Sequence, residues 1–156
     1  MIQTIASKVS SQKMLYESDY LLWTQETIAQ LKNRDFNHLD MENLIEEIED
    51  LGRSRKDQLK SRLNTLLEHL LKRLYVMMPQ EFNGWERTIR EQRKRLDWLL
   101  DENPSLKTIW NDSFDIAWRY ALKDIREDYP QFQFPDLWPF TRDIDAILTV
   151  KFWDSI

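Results

Sequence analysis

The chain has 156 residues, two glycines and no cysteine. That length fits one domain with a sizeable core, and the missing thiol excludes disulfide, zinc-finger and cysteine chemistry. Acids outnumber bases 27 to 22, for a net charge of -5, which argues against broad binding to nucleic acid or to an anionic membrane.

Scarce glycine argues against β-rich and Rossmann-type folds, which need it in turns and phosphate loops. The many Leu, Glu, Lys, Arg and Gln residues are helix formers, so the expected class is all-α. No apolar run approaches the ~18 residues of a membrane span. The opening "MIQTIASKVSSQKMLYESDY" has no signal-peptide core or cleavage site. The expected compartment is the cytoplasm.

Residues 1–14 read as a flexible arm and 15–156 as a single helical-bundle domain. The first predicted helix spans about 18–32, with Ser18 or Asp19 as its cap. Asp40 is placed to cap a helix over about 41–51, whose Met41, Leu44, Ile45, Ile48 and Leu51 recur at helical spacing. Gly52 stands where a C-terminal glycine cap would stand, and Ser54 with Asp57 resembles a capping box. A break or kink at Gly52 is therefore expected, with one continuous bent helix as the alternative. Next comes a leucine-rich helix over about 54–77, the expected spine, ended by Pro79. Helices over about 84–102 and 104–128 follow. The remainder, "YPQFQFPDLWPFTRDIDAILTVKFW", reads as an extended aromatic and proline-rich wrap with a short final helix over about 141–148. The architecture is thus a bundle of about five main helices.

Three clusters could carry chemistry. With Leu44 set at 0° and ~100° per residue, the apolar stripe of the 41–51 helix lies between about -20° and 100°. Glu42, Glu46 and Glu49 then fall at roughly 140–200°, a carboxylate row beside the stripe. The row reads as a solvated face, or as the partner of Arg90 and Arg93, whose guanidinium groups suit bidentate pairing. A metal centre would need more: di-iron bundles use Glu-x-x-His pairs, and the two histidines here, His38 and His69, supply none. Neither a metal nor a cofactor is expected. The second cluster is Arg62 with His69, which share one edge of their helix. The bland reading is a packed histidine. The sharper one is acid–base catalysis beside a phosphate-binding arginine, and the Arg-to-His spacing looks like the loose motif of HEPN-type helical ribonucleases. The third is the basic run of "WERTIREQRKRLDW", which spreads round its helix instead of lining a groove.

The segments "YESDYLLW", "LDMENLIEEIEDLGRS", "SRLNTLLEHLLKRLY", "WERTIREQRKRL", "ENPSL" and "FPDLWPFTRDIDAIL", in that order, resemble a bacterial, mainly cyanobacterial, family catalogued as domain of unknown function twenty-nine. The resemblance spans about residues 16–153 and implies an all-helical fold and no particular reaction. Relatives often carry acidic residues before the closing Phe-Trp, where this chain has "TVKFWD".

With no nucleophile elbow, phosphate loop or zinc pattern, the reading leans against an enzyme. It favours a protein-interaction or adaptor module that binds a partner protein or itself as a homodimer. Surplus tryptophans support this, Trp98 and Trp153 being candidates for contact. The alternative is a helical ribonuclease using Arg62 and His69.

Overall fold

The computed structural model describes residues 2–155. The protein is all-α, with no strand among the described residues. Its helices are α1 (Ile2–Ser18), α2 (Tyr20–Lys32), α3 (Met41–Tyr75), α4 (Phe82–Glu102), α5 (Trp110–Asp128) and α6 (Ile144–Thr149). Short 3-10 segments lie at Phe36–His38, Pro79–Glu81, Pro104–Ile109 and Phe152–Ser155. No helix among the described residues is long and apolar enough to cross a membrane. The fold has two compact units, Met1–Arg53 and Ser54–Ile156. Their boundary falls inside the span read as one domain from the sequence.

Two expectations need correction. Residues 2–18 form α1, not a loose arm; Met1 lies outside the described residues. The segment carries no clear apolar stripe, so periodicity could not announce it. Side chains hold it: Gln12 donates to Glu26, Lys13 to Glu42 and Tyr16 to Glu47. Helix α3 also runs unbroken through Gly52 over 35 residues, a length of about 52 Å. An interior glycine costs only about 1 kcal/mol relative to alanine, and strong helix formers flank this one. Its φ is not positive, so it forms no left-handed stop. Ser54, expected to cap a new helix, is simply interior to α3.

In the first unit, α2 begins where Asp19 accepts a hydrogen bond from the Leu22 amide at 3.1 Å. It ends on Arg34 at φ 56°. The Asp35 amide there donates to the Gln30 carbonyl at 2.8 Å, and the Arg34 amide to Leu31 at 3.1 Å. This is the reverse turn that usually recruits glycine, built here on an arginine.

In the second unit, α3 presents Leu59, Leu63, Leu66, Leu67, Leu70 and Leu71, all fully buried. They meet Ile89, Leu96 and Leu100 of α4 and Phe114, Ala121 and Ile125 of α5 in one core. The wrap after α5 has no ladder of its own, so bundle side chains satisfy its carbonyls, as buried backbone requires. The Trp110 indole donates to the Arg142 carbonyl at 2.9 Å, and Trp118 to Asp136 at 3.1 Å. Arg126 reaches the Phe134 carbonyl. Trp138 sits among Phe114, Trp118, Phe140 and Phe152, with ring centroids 5.1–6.2 Å away. Edge-to-face pairs of this kind add about 0.5–1.5 kcal/mol each beyond area burial. The short helix opens at Ile144, three residues later than predicted.

Candidate functional site

The first unit contains the feature that most needs an explanation. Of the predicted apolar stripe on α3, Leu44 is half-buried, yet Met41, Ile45, Ile48 and Leu51 are exposed, Ile48 at 60% and Leu51 at 68%. The reason lies in which side of α3 meets α1 and α2. Tyr16 and Tyr20 both donate to Glu47, at 2.5 and 2.6 Å. The Trp23 indole donates to Asp40 at 3.3 Å, and the Asn43 amide group to the same carboxylate at 2.6 Å. Asp40 is fully buried, and it accepts the Asn43 backbone amide as the predicted cap, though loosely at 3.4 Å. So the polar edge of α3, carrying Asp40, Asn43 and Glu47, faces inward. The aromatic cluster Tyr16, Tyr20 and Trp23, with centroids 4.9–5.9 Å apart, closes over it. The stripe points elsewhere.

Helix α2 repeats the theme. Leu21, Ile28 and Leu31 are exposed, as is Phe36 just after it. Among the described residues of the unit, the buried apolar side chains are Trp23 and Leu39, and Gln12, Thr27 and Asp40 are the buried polar ones. The Thr27 hydroxyl and the side-chain amide oxygens of Gln12 and Gln30 are buried without a partner among the described residues. Charge is equally lopsided. Residues 1–53 hold ten acids and five bases, a net -5 that equals the net charge of the whole chain.

Of the predicted carboxylate row, one member has a partner within the first unit. Glu42 pairs with Lys13 at 2.8 Å, which pulls the Glu42 carboxyl down and the Lys13 amine up. Both are solvent-exposed, so this pair adds little stability. Glu46 and Glu49 are exposed and make no ion pair among the described residues. Glu47, outside the predicted row, is the busiest acid of this stretch. Its two tyrosine donors hold it below the usual carboxylate range, and its carboxylate in turn pushes the Tyr16 hydroxyl above its own usual range.

Arg93 turns to the backbone. Its guanidinium donates to the Ile147 carbonyl at 2.8 Å and to Val150 at 2.6 Å, and so caps the C-terminal end of α6, where carbonyls lack helical partners. Burial lowers its pKa to about 10. Arg90 is exposed on the same helix and makes no ion pair among the described residues. Sequence spacing could locate these arginines beside the core of α4. It could not reveal that unpaired carbonyls of a distant short helix would claim one of them.

Arg62 and His69 both lie on α3, partly buried. The His69 Nδ1 meets the Thr65 carbonyl at 2.8 Å, the back-bond of an ordinary helical histidine. Burial pushes its pKa down. Neither residue lines any of the four clefts seen in the second unit, around Trp118, Trp153, Asp143 and Asn64. Nearby Glu68 is pushed up, first by burial and then by Asp124. No group of three or more potential metal ligands gathers among the described residues.

A family model described as a domain of unknown function, DUF29, matches residues 15–153. The chain belongs to the DUF29 family. It matches no curated protein and no solved structure. The DUF29 match runs across both compact units, and it takes in α2, the exposed stripe of α3 and the aromatic wrap. Membership brings no assigned activity, so the function must be argued from the surface itself.

Proposed function

We propose that this DUF29 protein is a protein-interaction module. Its contact surface is the apolar face of the first unit, and its partner presents a helix with an apolar stripe and basic flanks. The observation that carries this reading is the exposed row Met41, Ile45, Ile48 and Leu51. Exposed apolar patches on soluble proteins mark contact sites when they are contiguous and rimmed by polar groups. Here the rim is Glu42, Glu46 and Glu49 on one side of the stripe. A helix laid into such a surface is a familiar recognition mode. The acidic rim selects a basic partner and disfavours a second copy placed face to face, because like charges would meet.

The test uses two synthetic amphipathic helical peptides with leucine stripes, one flanked by lysines and one by glutamates. The lysine peptide is expected to bind the intact protein at least tenfold more tightly. The double substitution Ile45→Ser with Ile48→Ser, which keeps every charge, should abolish that binding. Equal binding of the two peptides, or unchanged binding by the variant, overturns the proposal. Sedimentation of the free protein covers the remaining occupant: a dimer lost on the same substitution would put a second copy on the face instead.

A further inference from the structure

The second unit has a cleft that the interaction surface does not use. It lies between α4 and the end of α6 with the residues that follow it, and has a volume of about 370 Å³, within the range of small-ligand sites. Ile89, Leu148 and Trp153 supply its apolar lining, while Arg90, Arg93 and Lys151 supply positive charge. Glu86 is the one carboxylate in the lining, and the Arg73 guanidinium already faces it at 3.7 Å. Arg90 and Lys151 make no ion pair among the described residues, and the bonds of Arg93 go to neutral carbonyls.

This is an unusual balance for a chain with excess acid. Charged groups withdrawn from water are normally met by an opposite charge. Burial lowers the pKa of Arg93, and no carboxylate among the described residues pairs with it. The other three clefts balance charge more closely: the one at Trp118 has Arg119, Lys123 and Arg126 with Glu127 and Asp136, Arg126 meeting Asp136 at 2.7 Å; the one at Asp143 has Lys107 with Asp143 and Asp145; and the one at Asn64 has Lys60 with Asp57 and Asp124, Lys60 meeting Asp57 at 3.2 Å. Guanidinium groups match phosphate oxygens bidentately, and an ammonium group adds a point charge. A half-buried indole at the edge of such a site offers a flat face for a planar group.

We propose that this cleft binds a small phosphorylated molecule, its phosphate held by Arg90, Arg93 and Lys151 and its planar portion lying against Trp153. The site is independent of the helix-binding reading, since every residue in it belongs to the second unit.

Calorimetric titration of the full chain with inorganic phosphate and with AMP, at ionic strength matched by chloride, tests the proposal. Both should bind saturably at one site, AMP the more tightly. The double substitution Arg90→Ala with Lys151→Ala should weaken both at least tenfold. These two side chains are exposed and unpaired, so the thermal melt of the variant should match that of the parent. Trp153→Leu should remove the advantage of AMP and leave phosphate binding unchanged. Absence of saturable binding by either probe overturns the proposal, as does undiminished binding by the double variant. Arg93 is left in place because it holds α6.

Discussion

The two units use apolar side chains in opposite ways. In the second, the stripes of α3, α4 and α5 close on one another, and the leucines from Leu59 to Leu71 are fully buried. In the first, the stripes of α2 and α3 stay in water, and hydrogen bonds to Asp40 and Glu47 hold the helices together instead. A single helix, α3, contains both behaviours: Ile48 and Leu51 are exposed, whereas Leu63 and Leu67 are not. An apolar period therefore predicts that a face is suited to burial. It does not say which molecule will bury it. On the proposed reading the first unit is one half of an interface, and its acidic excess is what would select the partner.

The sharpest way to break this comparison is a matched pair of substitutions on α3. Leu67→Ala removes a fully buried side chain and should cost about 3 kcal/mol, from lost transfer energy plus the cavity left behind. Ile48→Ser, on the exposed stripe, should change stability by less than about 0.5 kcal/mol. Urea melts of both variants check this. A large loss from Ile48→Ser would mean that the stripe is covered in the free protein.

Arg93→Ala comes next in size. It deletes two charge-assisted hydrogen bonds and leaves the Ile147 and Val150 carbonyls without these donors, a loss of about 2 kcal/mol. Arg93→Lys should rescue little, because one ammonium group cannot reproduce the guanidinium fork. Hydrogen exchange at the amides of α6 should accelerate in both variants. Unchanged exchange there would remove the capping role.

Much of the second unit was legible in the sequence, and little of the first unit's packing was. The leucines of α3 and the Trp85, Ile89 and Leu96 face of α4 announce themselves by spacing, and the prolines after Tyr129 mark where helix must give way to a wrap. The α1 helix gave no such signal, because its anchors are single polar side chains: Gln12, Lys13 and Tyr16. Their partners lie 14 to 31 residues away, and no local rule selects them. For the same reason spacing could set the carboxylate row on a face of α3 but could not assign the Lys13 that meets Glu42. A carboxylate's partner depends on which helix arrives beside it. Glu47 gained two tyrosines that periodicity had no means of assigning. The wrap shows the converse. Its extended course was readable, but the donation of Trp110 and Trp118 to its carbonyls was not.

The smallest effect concerns Gly52, within the part of α3 where exposed stripe gives way to buried spine. From Leu51 to Asp57 every residue is exposed, so helicity here comes from local terms alone. Asp50 with Arg53 and Asp57 with Lys60 contribute i,i+3 pairs, each worth only about 0.2–0.5 kcal/mol. A Cβ added at Gly52 would meet nothing within 4 Å, and the backbone there is not left-handed. Gly52→Ala should therefore stabilise the protein by about 0.5–1 kcal/mol, partly by restricting the unfolded chain. The gain should appear as a higher urea midpoint and as slower amide exchange in the exposed turns around residue 52. A destabilised variant would mean that α3 bends at Gly52 in solution, as the glycine first suggested. Stabilisation with peptide binding intact would mean that the first unit works on an unbroken helix. Stabilisation with binding lost would make the glycine's flexibility, and not only the apolar stripe, part of how a partner is accepted.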